Sequence, residues 1–204
     1  WFASGLLILD ILIIAGVAFA LFAILGVMAM SGAANPSKLS SELKGGAERI
    51  GAKITEDYRG TSSNLVVVPI LKGSFLFAAD LIRHIDLDLS VEFLGLRSYG
   101  AGTESSGVVQ ITYDLTQPVT DADVLVVEDI VDTGLSMRYL LDNLATRHPR
   151  SVRLCSLLHK PARSRVKIPI DYLGFTIEDR FVVGYGLDYA EKYRNLPYIG
   201  VIEG

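Results

Sequence analysis

Apolar and polar positions along the chain fall into three regimes. From Ile11 to Met30 twenty residues run without a charge. As a helix such a run spans about 30 Å of hydrocarbon, and it predicts a transmembrane segment with Trp1 and Phe2 near one interface. Ser31–Ser37 then reads as a short linker containing Pro36. From about Ser40 to Tyr58, Leu43, Ala47, Ile50 and Ile54 recur at spacings of four, three and four, which predicts an amphipathic helix weakened early by Gly45 and Gly46. Beyond Gly60, apolar runs alternate with helical periodicity. Leu65–Leu71 and Val124–Val127 predict strands buried on both faces. Gly73–His84 and Leu135–Arg147 predict helices, and Val91–Leu96, Val108–Tyr113, Val152–Leu158, Tyr172–Phe175 and Tyr198–Ile202 complete the strand set. This order predicts an α/β fold with a central, mostly parallel sheet flanked by helices, whose ligands meet the carboxyl ends of the strands.

Composition sharpens the division. Of the first 34 residues, 27 are apolar, and of the chain's 19 basic and 23 acidic residues only Asp10 lies among them. We therefore expect an anchor and linker start over 1–34 and one globular domain over 35–204. A cleaved signal peptide is the main rival for the first segment, although its apolar run exceeds the usual roughly 7–15 residues; a buried core helix is the third reading. Lys38, Lys44, Arg49 and Lys53 follow the segment closely, so the positive-inside bias expects a single-pass membrane protein with its domain in the cytoplasm. Gly16 and Ala20 offer a small-residue face for another helix. A single cysteine, Cys155, excludes a disulfide scaffold, and a net charge of −4 leaves no broad basic face for nucleic acid. Any phosphate must then be held by a local site.

Such a site is visible between Val126 and Ser136. A buried strand runs into Glu128-Asp129, a third carboxylate follows at Asp132, and Thr133-Gly134 opens a helix. Free amides at a helix start attract phosphate, and a glycine there lets the backbone approach closely. The adjacent carboxylates suit sugar hydroxyls or Mg²⁺. Capping of the helix by Asp132 or Thr133 would explain one carboxylate but not Glu128-Asp129.

Glu128-Asp129-Ile130-Val131-Asp132-Thr133-Gly134 resembles the phosphoribosyl-pyrophosphate motif of the type I phosphoribosyltransferases. Leu71-Lys72-Gly73-Ser74, Ser98-Tyr99-Gly100 with Thr103–Gly107, Lys160-Pro161-Ala162-Arg163, and Asp179–Tyr189 with Tyr193–Pro197 narrow the likeness to the bacterial hypoxanthine/guanine branch. The resemblance covers residues 42–204; the hydrophobic segment falls outside it. It implies the type I fold with a small hood, here preceded by one transmembrane helix. The implied reaction is purine salvage: Mg²⁺-dependent transfer of the phosphoribosyl group to hypoxanthine or guanine, releasing pyrophosphate.

The resemblance also implies roles for particular residues. Asp132, Thr133, Gly134, Leu135 and Ser136 would hold the 5′-phosphate, with Asp132 as general base or acid at purine N7. Glu128 and Asp129 would engage ribose hydroxyls or Mg²⁺-bound water. Leu71-Lys72-Gly73 would form the pyrophosphate loop, where the family often places a non-proline cis peptide. Lys160 would donate to the purine O6, Phe181 would stack on the ring, and Val182 would meet its edge through the backbone. Asp188 would bind a second Mg²⁺, and Arg194 would neutralise pyrophosphate. Ser98-Tyr99 would belong to a mobile lid over 98–107 that excludes water from the reacting sugar.

The remaining features have plainer expectations. His84, His148 and His159 lack metal-ligand spacing with Cys155, which reads as a buried thiol. Arg147, Arg150, Arg153, Arg163 and Arg165 read as a solvated face or as oligomer contacts, and Tyr193 as packing for the hood. The expected partners are a 6-oxopurine, phosphoribosyl pyrophosphate, the membrane, and either further copies of the chain or a larger membrane complex; nucleic acid is not among them. A catalytically idle nucleotide-binding or structural accessory subunit is the alternative function. Transfer to adenine or orotate is disfavoured by Lys160 with Phe181-Val182.

Overall fold

A computed structural model describes residues 36–60, 64–99 and 108–202. The expected membrane segment and lid residues 100–107 lie outside these. Among the described residues, no helix is long and apolar enough to cross a membrane.

The first element is helix α1 (Pro36–Tyr58), which starts four residues earlier than the periodicity predicts. Proline is at home in a first turn, where its missing N–H has no partner to lose. Strand β1 (Leu65–Leu71) keeps its predicted bounds, helix α2 (Phe75–Ile82) follows, and the expected 91–96 strand divides into β2 (Leu89–Val91) and β3 (Leu94–Tyr99). β4 (Val108–Tyr113), β5 (Asp123–Val131), helix α3 (Leu135–Ala145), β6 (Ser151–His159) and β7 (Tyr172–Thr176) complete the main body.

The sheet runs β4-β3-β1-β5-β6-β7, with β2 also beside β1; only the β3–β4 pairing is antiparallel. The apolar runs lack alternation because both faces are covered. Val67, Leu125, Val127, Cys155 and Leu157 pack against Ala47, Ile50 and Ile54 of α1 and Phe77 and Leu81 of α2. Val66, Val68, Val124, Val126 and Leu154 turn the other way onto Met137, Leu140 and Leu144 of α3. The glycines of α1 do not interrupt it. At Gly46 a β-carbon would stand 2.9 Å from the Phe175 ring, so the position serves close packing on β7.

Tyr198–Ile202 does not extend this sheet, contrary to expectation. Only Gly200–Val201 (β9) is extended, pairing antiparallel with Val182–Val183 (β8) in a separate two-stranded hood. Pro197 has no N–H for a central ladder. The hood instead closes locally, with Tyr185 N–H donating to Leu196 O at 2.8 Å and Ile202 N–H to Phe181 O at 2.9 Å.

Candidate active site

β1 feeds through α2 to β2 and β3 on one side and pairs with β5 on the other. Strand order reverses there, and a crevice opens at the carboxyl ends of the diverging strands. Register places Pro69 opposite Val127 and Val131 opposite His159. Three segments therefore end together: Leu71-Lys72-Gly73, Glu128–Asp132 and His159-Lys160.

The floor of the crevice is acidic and dry. Burial, reinforced by Asp129, pushes the Glu128 carboxyl well above its ordinary range, and Glu128 Oε2 has no hydrogen-bond partner among the described residues. Asp129 is also buried. Desolvation raises it to about 6 and Asp188 pushes the same way, against the Ile130 amide that donates to Oδ1 at 3.0 Å and the charge of Arg194. The peptide bond Leu71–Lys72 is cis, as the resemblance implies. Gly73 lies directly on the Asp129 carboxylate, where a β-carbon would coincide with Oδ2.

A recess of about 100 Å³ opens beside this floor, lined by Glu128, Asp132, Thr133, Gly134, Ser136 and Met137 among others. Gly134 precedes α3 at φ +80°, with no side-chain cap hydrogen bond, so the capping explanation of Asp132 is not what the helix uses. The Leu135 amide donates to Thr133 Oγ1 at 3.4 Å, a long hydrogen bond at a helix start whose amides face this recess. The back of the loop is braced: Arg165 and Val166 donate backbone N–H to Thr133 O at 2.9 and 3.1 Å, and Arg138 donates to Lys167 O at 2.7 Å.

A larger cavity of about 310 Å³ lies alongside, lined by Asp129, Ile130, Asp132, Lys160, Arg163, Phe181, Val182, Leu187 and Asp188. Lys160 is only 5% exposed as a residue, and it lines this cavity together with Asp132 and Asp188. A cation facing a cavity of this kind suits an acceptor brought by a ligand. Phe181 is 47% exposed and touches Tyr189 edge-on, with ring centroids 5.6 Å apart, so one face of an aromatic ring stays open for stacking.

The hood closes the third side. At Gly186 a β-carbon would coincide with the Gly73 carbonyl oxygen, so at this point hood and floor meet backbone to backbone. Arg194 donates to Gly186 O at 2.8 Å and pairs with Asp188 Oδ1 at 2.8 Å, while the Glu191 amide donates to Asp188 Oδ2 at 2.8 Å. Lys72 Nζ pairs with Glu191 Oε2 at 2.9 Å.

Leu71, Lys72, Gly73, Glu128, Asp129, Asp132, Thr133, Gly134, Leu135, Ser136, Lys160, Phe181, Val182, Asp188 and Arg194 are thus gathered at one crevice. Ser98 and Tyr99 end β3, in register with Val109 and Val108. Arg163 corrects its expectation as a solvated residue. A 3₁₀ turn, Pro161–Arg163, brings its Nε to 3.1 Å from Asp132 Oδ1, and its Nη1 lies 3.8 Å from Asp179. The signal was the spacing Lys160-Pro161-Ala162-Arg163, because a turn started by proline carries both cations to the same cavity. Arg147, Arg150 and Arg153 serve the fold instead, bound to Asp114, Asp123 and the Tyr172 hydroxyl. Tyr193 is 44% exposed and packs less than expected.

Residues 40–190 match the family model for the phosphoribosyl transferase domain. The chain is 43% identical over 162 residues to the hypoxanthine phosphoribosyltransferase of Escherichia coli K12, covering 79% of this chain and 91% of that protein. It is 48% identical over 158 residues to the hypoxanthine-guanine phosphoribosyltransferase of Mycobacterium avium, covering 76% and 78%. A crystal structure of a hypoxanthine phosphoribosyltransferase from Staphylococcus aureus is similar with a TM-score of 0.76 and 45% identity, over 80% of this chain and 88% of that one.

Proposed function

The chain belongs to the phosphoribosyl transferase family, among its hypoxanthine and hypoxanthine-guanine phosphoribosyltransferases, and from that premise we propose how its crevice works. The donor's 5′-phosphate sits on the amides of Asp132–Ser136, its ribose hydroxyls face Glu128 and Asp129, and its pyrophosphate lies against Lys72, Gly73 and Arg194. The purine enters the larger cavity, stacks on Phe181, meets the backbone of Val182 and accepts a hydrogen bond from Lys160 at O6. The C1–pyrophosphate oxygen bond breaks as the C1–N9 bond forms, and Asp132 takes the proton released from N7. Ser98 and Tyr99 would close over the sugar. The observation that carries this reading is one cavity that gathers Lys160, the Asp132 carboxylate and the partly exposed ring of Phe181.

Mg²⁺ fits the donor set. The orphaned Glu128 Oε2, buried Asp129 and cavity-lining Asp188 are hard oxygen ligands. Mg²⁺ commonly uses one or two carboxylates and completes its shell with water and substrate phosphate. Glu128 and Asp129 would reach one Mg²⁺ through ribose hydroxyls or water, and Asp188 would hold a second together with pyrophosphate. When bound, it offsets charge on the departing pyrophosphate.

A membrane tether formed by residues 6–30 is supported by the uncharged run Ile11–Met30 alone, and assembly with a partner helix rests on the same segment. Retention of Asp132, Lys72, Lys160, Asp188 and Arg194 speaks against an idle accessory subunit. A turnover assay with hypoxanthine, guanine, xanthine and adenine, each with phosphoribosyl pyrophosphate and Mg²⁺, tests the proposal. Turnover of at least one 6-oxopurine and none of adenine is expected; silence with all three 6-oxopurines overturns it.

A further inference from the structure

Both cations assigned to pyrophosphate are already engaged by one carboxylate. Lys72 Nζ lies 2.9 Å from Glu191 Oε2, and Arg194 Nη2 lies 3.6 Å from the same oxygen. Lys72 follows β1 and Arg194 belongs to the hood, so Glu191 ties the two walls of the crevice together across 119 residues of sequence.

Glu191 is held in this position. It sits at the tip of a tight hairpin closed by reciprocal backbone hydrogen bonds between Tyr189 and Lys192 at 3.1 and 3.0 Å. Its own amide is fixed to Asp188 Oδ2 at 2.8 Å. Ala190 and Glu191 both have left-handed backbones, with φ of +50° and +63°, a conformation uncommon for consecutive non-glycine residues. The side chain is nevertheless open to water, 66% exposed, and so is free to leave. Lys72 holds its carboxyl below the usual range, with a smaller contribution from Arg194.

We propose that Glu191 is an internal stand-in for pyrophosphate: its carboxylate occupies the Lys72–Arg194 anion site when the site is empty, yields it to the donor, and returns as pyrophosphate leaves. This rests on the functional reading above and adds a residue which that reading does not use. A carboxylate with one negative charge loses readily to a diphosphate with several. Its grip is that of an exposed ion pair, so it weakens anion binding modestly without blocking it. The contact links β1 to the hood directly, so exchange of the two anions would couple hood position to donor binding and release.

The test is Glu191→Gln, which keeps length and removes charge, with Glu191→Ala as a second variant that also removes reach. Calorimetric titration of the full-length protein uses inorganic pyrophosphate in MgCl₂ as the probe. Both variants should bind it about two- to five-fold more tightly than wild type, the range expected for loss of an exposed ion pair. In turnover, KM for phosphoribosyl pyrophosphate should fall by a similar factor while KM for hypoxanthine stays constant, and pyrophosphate should become a stronger product inhibitor. A merely structural role would move both KM values together. Normal pyrophosphate binding by wild type with unchanged or weaker binding by both variants overturns the stand-in and leaves the functional reading intact. No pyrophosphate binding by wild type overturns both.

Discussion

The recess at Gly134 and the cavity at Lys160 lie side by side at the end of β5, yet they are made of different materials. The recess is backbone: helix-start amides, a glycine at φ +80°, and a brace of main-chain hydrogen bonds from Arg165 and Val166 to Thr133 O. The cavity is side chain: the cation of a largely buried lysine, an open aromatic face, and an arginine beside the Asp132 carboxylate. A phosphate offers the same oxygens on every donor molecule, and amides of fixed direction suit it. A purine must be told from its relatives by one exocyclic group, which calls for a single placed donor that suffers if left unpaired. Asp132 belongs to both regions, lining the recess and the cavity alike.

That shared position makes Asp132→Asn the largest expected effect. The amide keeps the shape of the phosphate loop and cannot accept the purine proton, so turnover should fall by roughly 10²–10⁴-fold. Donor binding, measured by titration, should change little. Loss of both together would mean that Asp132 supports the recess itself.

Lys160→Ala separates the regions next. Removing a charge-assisted hydrogen bond inside a closed site costs about 1.5–3 kcal/mol, or roughly 10–150-fold, in use of the 6-oxopurine. Mg²⁺-dependent binding of phosphoribosyl pyrophosphate should stay near wild type. Equal weakening of both substrates would sink the distinction between a backbone-built and a side-chain-built half.

The same difference in material explains what could be read from the sequence. A backbone site is contiguous: Glu128–Ser136 carries strand end, carboxylates and helix start in one stretch, and the structure keeps it as one recess. A side-chain site is assembled from distant returns of the chain. Lys160, Phe181, Val182 and Asp188 were legible through a family resemblance, whereas Arg163 reaches Asp132 only because a 3₁₀ turn follows Lys160. Glu191 meets Lys72 only through the hood's fold. Among the strands, β1 and β4 match their apolar runs. β5 is longer than its run because Glu128 and Ile130 continue the ladder opposite Ser156 and Leu158, although charge there looked like an end. The hood strands of two residues each are too short to show any period.

Gly134→Ala probes the backbone half by itself. A β-carbon there would stand 2.6 Å from Val166 O, and alanine does not favour φ +80°. The strain should cost about 1–3 kcal/mol, lowering the melting temperature by several degrees and weakening donor binding. Phe181→Leu is the matching probe of the other half. Its ring is about half exposed, so the melting temperature should change little while KM for hypoxanthine rises. If Gly134→Ala melts like wild type, the brace from Val166 is looser than its hydrogen bonds suggest.

The smallest effect lies beneath both halves, in the buried carboxylates. Asp129 titrates near 6 in the folded protein against an ordinary 3.8, and Glu128 is raised as well. Between about pH 4 and 6 the folded state therefore binds more protons than the unfolded chain, and stability should fall as pH rises through this window. The paired carboxylates Asp57 and Asp114, held low by Lys53 and Arg147, work in the opposite sense and lose their contribution as pH drops through about 4. The two trends overlap at the acid end, so the net decline from pH 5 to 7 should be on the order of 1 kcal/mol. Melting curves of the ligand-free protein across that range measure it, and Asp129→Asn should flatten the slope. Adding phosphoribosyl pyrophosphate with Mg²⁺ should also flatten it, because ribose hydroxyls and a cation stabilise the ionised carboxylates. A ligand-free protein that instead gains stability steadily from pH 5 to 7 would show that water already reaches Glu128 and Asp129, and that the floor is no drier than the recess beside it.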